Sequence, residues 1–322
     1  MLKIRKFKLS DNKLWEDFIT SSNNGTLFHY RKFLNYHPDD RFEDHSLLIF
    51  KKNKLISVFP ASIINVNKQK KLISHPGLSV GSLVSLENLS FSDSIEIVKS
   101  LVSYSKLNGF SDIQITIPPI IYQKRISNYL EFAYFENGFK YLKREVSSIL
   151  FLEENIEENL NKFKSSHKRA LKSSINKGVE VKISENFEEF YNILEKNLSI
   201  RHNVSPTHTL NELKLIKKTF PNKVMLFSAY KEEAMISGVV NFIVNDHTIL
   251  AFYISHDNDY QEYRPLNYLF YSVFDWCIKN NFKIYDFGIF TVNGIPNLGL
   301  GRFKENFGAS GVFRDTIHLK LI

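Results

Sequence analysis

The sequence lacks the residues and runs that mark several classes of protein. A single cysteine, Cys277, occurs among 322 residues, so no intrachain disulfide forms and metal sites built from cysteine pairs are excluded. The ten histidines show no paired spacing such as H-E-x-x-H, and we expect no catalytic metal. No stretch approaches the roughly 18 apolar residues of a membrane-spanning helix, and charges interrupt the N-terminus before a signal-peptide core forms. These absences predict a soluble cytoplasmic protein.

The composition that is present indicates a large folded protein. Hydrophobic residues make up 43% and aromatic residues 14% of the chain, whose length suffices for two domains. Lysine and arginine number 42 against 34 acidic residues, which gives a formal net charge of +8. This excess favours acidic partners without naming one, and a lysine-rich solvated surface is the simpler explanation, because an excess of this size is ordinary for so long a chain. Nucleic acid stays open as a partner.

Strand-like and helix-like segments alternate along the whole chain, which predicts an α/β or α+β fold. In the first half, the runs 46–50 and 55–64 are typical of an antiparallel hairpin. In the second half, Asn155 with Glu158 forms a capping pattern for one helix that continues to Lys177 and ends at Gly178. The later segments follow the order helix, helix, three strands, helix, strand, helix, strand. We place the domain boundary between residues 145 and 146, so that the domains span 1–145 and 146–322.

Recurring sequence segments sharpen this interpretation. They are Ser74 to Ser79 with Gly81, the stretch from Arg169 to Val181, Asp286-Phe287-Gly288, and Arg302 to Gly308. Their order and spacing resemble the FemAB-like, tandem-domain branch of the Gcn5-related N-acetyltransferase (GNAT) superfamily. The resemblance implies two GNAT-like domains, each a mixed, mostly antiparallel sheet flanked by helices.

The resemblance also implies a reaction, which is transfer of an acyl or aminoacyl group to an amine. In this branch the acceptor is often a peptidoglycan-type precursor or an amino sugar of a surface polysaccharide, so the resemblance predicts a transferase of cell-envelope biogenesis. Acyl-CoA is the expected co-substrate, with no tightly bound cofactor. The superfamily usually holds the phosphates of coenzyme A on a glycine-rich turn, where backbone N–H groups and a helix N-terminus favour anions. The corresponding segment here, Asp259 to Pro265, contains no glycine.

This departure keeps two alternatives open. One is a FemX-like peptidyltransferase that depends on aminoacyl-tRNA, which the basic surface also permits. The other is a non-catalytic scaffold or nucleic-acid-binding protein that kept the fold and lost donor binding. Steeply salt-dependent tRNA binding distinguishes the first alternative from a CoA-dependent enzyme.

Three residues are candidates for the chemistry. Lys304 matches the lysine of the FemAB-like branch, and a fixed ammonium there could stabilise charge that develops on a carbonyl oxygen. Asp286 lies in an apolar strand, where a carboxylate needs a partner. It could accept a proton from the attacking amine, or it could hold a neighbouring loop through backbone N–H groups. His208 lies near a turn and could act as a base near neutral pH. Because no serine or cysteine has a convincing nucleophile context, we expect direct attack by the substrate amine.

Further residues are candidates for binding. Arginines suit phosphate or carboxylate groups, histidines beside turns suit an acceptor cleft, and residues at the fourth strand and the following helix suit the acyl donor. His167, in contrast, falls on the apolar stripe of its helix and is interpreted as a packing residue. The basic helix from Lys162 to Lys172 is interpreted first as a solvated helix face, and it could also contact tRNA or anionic lipid headgroups. The predicted substrate-binding residues are Arg201, Arg302, His75, His29 and Arg31, and the predicted cofactor-binding residues are Tyr253 and Asn267.

Overall fold

The computed structural model describes residues 2–38, 41–202 and 206–321, without the side chains of residues 199–202. The described chain divides into two units, one of residues 1–145 with 313–322 and one of residues 146–312. The sequence analysis placed residues 313–322 in the second domain. This placement needs correction because those residues form a strand that pairs with a strand of the first unit.

The first unit combines mostly antiparallel strands, with one parallel pair of β6 and β8, and four helices among its described residues. Its strands are β1 (Leu2–Lys6), β2 (Glu43–Asp44), β3 (Leu47–Lys51), β4 (Lys54–Phe59), β5 (Ala61–Val66), β6 (Gln69–Ser74), β7 (Val84–Ser85) and β8 (Asp112–Thr116), followed by β9 (Lys140–Phe151), which continues into the second unit. Its helices are α1 (Asn12–Ser21), α2 (Arg31–Leu34), α3 (Phe91–Leu107) and α4 (Tyr129–Glu136), with 3₁₀ turns at Leu9–Asp11, Leu27–His29 and Ile120–Tyr122.

The strands of the first unit form two groups. One group has the order β1-β3-β4-β7, and in the other β8 pairs with β6, which pairs with β5 and then β2. The predicted strand 55–64 is therefore wrong in its extent, because Pro60 divides it into β4 and β5, which belong to different groups. Proline has no N–H to donate to a sheet, which explains the break. Ile97, Val98 and Leu101 of α3 are fully buried in the main core of this unit.

The second unit contains the longer elements. In chain order they are α5 (Ile156–Asn161), α6 (Ser165–Asn176), β10 (Val179–Ser184), α7 (Phe187–His202), α8 (Leu210–Thr219), β11 (Val224–Lys231), β12 (Ala234–Ile243), β13 (Thr248–His256), a 3₁₀ turn (Asn258–Tyr263), α9 (Pro265–Lys279), β14 (Ile284–Ile289), β15 (Thr291–Val292), β16 (Ile295–Pro296), α10 (Leu298–Glu305) and β17 (Ser310–Lys320), whose end lies in the first unit.

Local signals in the sequence account for many of these boundaries. The Asn155 side chain accepts a hydrogen bond from the backbone N–H of Glu158 at the start of α5, as predicted. The predicted continuous helix from Ile156 to Lys177 is wrong, because the backbone of Lys164 is extended and separates α5 from α6. Gly178, with φ of +70°, ends α6 in a conformation that glycine adopts without strain.

The sheet of the second unit has the order β10-β11-β12-β13-β14-β9, antiparallel except for the parallel pair of β13 with β14. Helix α9 covers one face of it with buried Phe270, Phe274 and Cys277. Phe307 closes the same core after α10. Within the described residues, no helix is both long and apolar enough to cross a bilayer.

Candidate active site in the second unit

A cavity of about 630 Å³ lies at the end of β13 and at the start of α9. Its walls come from these two elements and from α6, α7 and α10. Its position follows from the sheet, because β13 and β14 pair only from Thr248–Ile284 to Leu250–Asp286 among the described residues. Beyond this point β13 continues to His256 without that neighbour. An unfilled gap between two strands is a natural place for a ligand in a sheet protein.

The segment between β13 and α9 is unlike a cradle for phosphate. Arg264 has a left-handed backbone, with φ of +52°, and Pro265 takes the first position of α9, where it offers no N–H. The N–H of Asn267 is already bonded to the carbonyl of Arg264 at 3.1 Å. The helix N-terminus therefore presents few free N–H groups to an anion.

The same segment carries negative charge. The carboxylates of Asp257 and Asp259 lie 3.2 and 2.9 Å from the ammonium of Lys196, and Glu262 lies 3.4 Å from that of Lys177. Arg264 is exposed and lines the cavity. A guanidinium at the mouth, and not a set of backbone amides, is thus the available contact for a phosphate group.

Three polar side chains that line the cavity hold buried atoms without a hydrogen-bond partner among the described residues. They are Nε2 of His167, Oδ1 of Asn197 and Nδ2 of Asn267. The Asn197 amide is fixed in orientation, because its Nδ2 donates to Ser255 Oγ at 3.1 Å. Buried polar groups are nearly always paired, and leaving one unpaired costs about 1–3 kcal/mol. These three atoms are therefore available to hydrogen-bond a ligand in the cavity.

His167 has an environment that keeps it neutral. Its ring lies edge-on to Phe307 at a centroid distance of 4.6 Å and also contacts Phe303 at 5.7 Å. Burial lowers the pKa of His167 below its usual value. A neutral imidazole with an unpaired ring nitrogen is able to accept a proton near pH 7. The packing of His167 against aromatic rings agrees with its interpretation as a packing residue. Its position at the cavity wall was not expected from the sequence.

Of the two predicted cofactor-binding residues, Asn267 lines the cavity and Tyr253 is not among its lining residues. The Tyr253 hydroxyl lies 2.9 Å from Nδ1 of His208 and accepts from the His208 N–H at 3.1 Å. Burial raises the pKa of Tyr253 to about 12. The Tyr191 hydroxyl donates to the His208 carbonyl at 3.0 Å. These contacts hold the loop before α8, and His208 as a catalytic residue stays a prediction.

Lys304 and Asp286 both hydrogen-bond to backbone groups of the turn at Gly288. The Lys304 ammonium donates to the carbonyls of Gly288 and Ile289 at 2.7 and 2.9 Å. Asp286 is fully buried and accepts from Ser147 Oγ at 2.6 Å and from the Gly288 N–H at 2.7 Å. Gly288 has φ of +74° there. Neither Lys304 nor Asp286 is among the residues that line the cavity. Their catalytic roles stay predictions.

The predicted substrate-binding residues occupy different settings. Arg302 is exposed on α10. Arg201 lies in the last turn of α7, and its side chain is outside the described residues. Their roles in binding substrate stay predictions.

The other three predicted substrate-binding residues are buried in the first unit. His29 accepts from the Thr26 N–H at 3.0 Å, and burial lowers its pKa to about 3. Arg31 pairs with Asp44 at 3.1 Å and lies over the Phe7 ring. Burial lowers the pKa of His75 to about 4. These contacts are structural, and substrate binding by these side chains stays a prediction.

Sequence reasoning missed several residues at the cavity. Asn197 and Arg264 carry no motif, and His256, the last residue of β13, has no distinguishing neighbour in the sequence. The one available signal was position, since α7 and the segment after β13 border the gap between the strands. Among the described residues, no group of three or more His, Cys, Asp or Glu side chains could hold a metal ion.

Comparison with known proteins gives a family model and a set of similar folds. Residues 161–304 match a model described as an acetyltransferase (GNAT) domain. No curated protein matches the sequence. A solved structure described as FemX superposes with a TM-score of 0.75 at 13% identity, covering 99% of this chain and 97% of that one.

Two further folds extend the comparison. L-PGS from Bacillus licheniformis has a TM-score of 0.60 at 11% identity, covering 96% of this chain and 91% of that one. A tandem GNAT protein from the clavulanic acid biosynthesis pathway has a TM-score of 0.57 at 7% identity, covering 100% and 99%. The predicted architecture of two GNAT-like units is confirmed.

Proposed function

We propose that this chain is an N-acyltransferase that acylates an amine on a cell-envelope or surface-polysaccharide precursor. The match of residues 161–304 to a GNAT acetyltransferase model and the FemX-like and tandem GNAT folds support this proposal. The observation that carries this proposal is the cavity between β13 and α9, with its three unpaired polar atoms. The acceptor is an amino sugar or a peptidoglycan-type peptide. Because both donor types considered below are products of the cytoplasm, we place the reaction in that compartment.

The cavity offers a complementary set of groups for this reaction. Nδ2 of Asn267 donates a hydrogen bond to the carbonyl oxygen of the acyl group, where negative charge develops. Oδ1 of Asn197 accepts one N–H of the attacking amine, and Nε2 of His167 removes its proton. The C–N bond forms, the bond from the acyl carbon to the donor oxygen or sulfur breaks, and the proton passes from His167 to the leaving group.

Acyl-CoA is the first donor to test, because the matched domain is a GNAT acetyltransferase. Arg264 is the residue that would contact its phosphates, since it is exposed at the cavity mouth. The apolar walls from Leu194, Ile254 and Phe303 suit an acyl chain.

Aminoacyl-tRNA is a second donor, which one observation favours. The segment that holds phosphates in CoA-dependent relatives carries Asp257, Asp259 and Glu262 here and begins α9 with proline. An aminoacyl ester carries a free amino group. The N–H of this group is able to donate a hydrogen bond to Oδ1 of Asn197. Its phosphates lie on the tRNA, away from this segment.

The predicted catalytic and binding residues take supporting roles in this proposal. We propose that Lys304 and Asp286 position the end of β14, since both bond the backbone around Gly288. His208 positions Tyr253 through their hydrogen bond. Arg302 remains the proposed contact for an anionic group of the acceptor, together with Arg201.

Donor identity is tested first by binding. The protein is titrated with acetyl-CoA, longer acyl-CoAs, free CoA, and charged and uncharged tRNA, with thermal stability as the readout. A ligand at about 100 times its dissociation constant stabilises by about 2.7 kcal/mol. A CoA-specific shift supports the first donor, whereas a shift with charged tRNA alone supports the second. Stability unchanged by every donor contradicts acyl transfer in this cavity.

The catalytic assignment is tested with His167→Gln. We expect kcat to fall by about 10²–10⁴-fold, because the amide cannot take the proton, while the Michaelis constant for the donor changes little. His318→Gln, on β17 and outside the cavity, is the matched control and keeps wild-type turnover. Since burial lowers the pKa of His167, wild-type activity should persist below pH 6.5 and fall at lower pH. Wild-type kcat in the His167→Gln protein refutes the assignment.

A further inference from the structure

The segment from Phe290 to Gly301 forms an exposed apolar hairpin beside the cavity. Strands β15 and β16 pair Thr291 with Pro296 and Val292 with Ile295. Asn293 and Gly294 make the connecting turn, with φ of +51° and +76°, which is typical of a rigid two-residue hairpin turn.

Three apolar side chains of this hairpin are mostly exposed to solvent. Val292 is 65% exposed, Ile295 is 73% exposed, and Leu298, at the first position of α10, is 71% exposed. Asn297 and Leu300 line the cavity, so the exposed side chains lie next to its opening in sequence. Contiguous exposed aliphatic groups on a rigid element mark an interaction surface.

The charge pattern around the hairpin indicates what covers it. Residues 290–301 contain no charged side chain in a chain that is 24% charged. Arg302, which directly follows this segment in the chain, is basic and exposed. Further basic residues lie on α6, which packs beside α10. The Lys164 N–H bonds the Asn306 carbonyl at 2.9 Å, and the rings of His167 and Phe303 are 5.7 Å apart.

Helix α6 presents its cations to solvent. Lys164 at its N-cap, Arg169 and Lys172 are exposed, while Leu171 and Ser174 are buried against the unit. An uncharged aliphatic tip next to a basic helix is complementary to a lipid bilayer with anionic headgroups. RNA is a poorer match, because the exposed apolar side chains of the hairpin are aliphatic and none of them is an aromatic ring on which a base could stack.

We propose that this surface, the hairpin 290–301 with the basic face of α6, docks the protein on an anionic membrane. The aliphatic side chains enter the interface between headgroups and acyl chains, and the cations pair with lipid phosphates. This docking does not depend on acyl transfer. If the proposed function holds, it places the cavity mouth where a lipid-linked acceptor is available.

The test is co-sedimentation with vesicles in the absence of donor and acceptor, so that its result is independent of catalysis. We expect the protein to bind phosphatidylglycerol–phosphatidylcholine vesicles and to bind pure phosphatidylcholine more weakly. The double variant Ile295→Ser/Leu298→Ser should weaken binding by about tenfold or more, since both side chains would leave water in the bound state. Leu107→Ser, which removes an 87% exposed leucine of the first unit, is the matched control and binds like wild type.

The cationic part is tested with Arg169→Gln/Lys172→Gln. We expect weaker binding to the anionic vesicles, unchanged binding to neutral vesicles, and a loss of binding with rising salt. The proposal is overturned if the wild-type protein does not sediment with anionic vesicles or if the hairpin variant sediments like wild type. It is also overturned if the α6 variant loses affinity for tRNA while its vesicle binding is unchanged, since the basic face would then serve RNA.

Discussion

Lys304 offers the sharpest test of how the second unit is held together. Its side chain is 1% exposed, and its ammonium donates to the Gly288 and Ile289 carbonyls at 2.7 and 2.9 Å. Lys304→Met keeps the aliphatic stem and removes both donors. A hydrogen bond to a charged group contributes about 1.5–3 kcal/mol, so two contribute about 3–6 kcal/mol.

Part of this stabilisation is offset by the cost of burying the ammonium, which the variant no longer carries. We therefore expect a net loss of about 2–4 kcal/mol in the free energy of unfolding. For a unit of 167 residues, from 146 to 312, this corresponds to a fall of about 6–12 °C in melting temperature. Turnover should fall together with stability, because the end of β14 loses its anchor.

The assay combines thermal unfolding with steady-state kinetics on the same preparations. Lys279→Met is the matched control, since this lysine is exposed and pairs only with Asp275 of its own helix turn in the described contacts, and its melting temperature should equal that of wild type. The Lys304→Gln protein, which retains one donor, should have a melting temperature between those of wild type and the Lys304→Met protein. A Lys304→Met protein that melts like wild type but does not turn over would refute the positioning role and place the ammonium at the reacting carbonyl.

Three further predictions follow from buried contacts. Gly238→Ala should cost about 1–3 kcal/mol in a urea titration, because its Cβ would lie 2.5 Å from the ring of fully buried Phe190; a cost near zero contradicts the packing. Burial lowers the pKa of His29 to about 3, so its contribution to stability is complete above pH 6.5 and is lost at about 1.4 kcal/mol per pH unit as the pH falls toward 3. If the free energy of unfolding of a His29→Gln protein depends on pH as steeply as that of wild type, His29 is not the source of this pH dependence. Arg144→Ala should cost about 2 kcal/mol, because it leaves the buried Asp315 carboxylate without its two 2.8 Å bonds, and wild-type denaturant stability would show that other groups satisfy that carboxylate.

Local chemistry made much of the fold predictable. Thr209 and Glu212 form a capping box at the start of α8, and Pro265 takes the first position of α9, so both helix starts carry a local sequence signal. The errors arose where distant contacts override local pattern. Pro60 divides a continuous apolar run because its two halves pair with different strands. The last strand joins the first unit because β8 is its partner, and no periodicity in the sequence records a partner 200 residues away.

The candidate site was less predictable than the fold. Asn267 was expected from its place after the fourth strand, and it lines the cavity. His167 was interpreted as a packing residue, because its spacing places it on the apolar stripe of α6. That spacing identifies the face of a helix and carries no information about the gap that the face borders. The gap depends on where β13 leaves β14 and on where Phe303 of α10 lies, which only the tertiary structure provides.

The turn at Gly288 connects the two proposals. Asp286 and Lys304 fix this turn from opposite ends of the segment, through bonds to its N–H and carbonyl groups. The hairpin begins two residues later, and the N–H of Asn297 returns to bond the Phe290 carbonyl at 2.8 Å. The charged pair is thus a buried anchor for an uncharged, exposed tip. Because a rigid hairpin loses little entropy when it docks, this anchoring favours membrane binding and a fixed cavity wall through the same contacts.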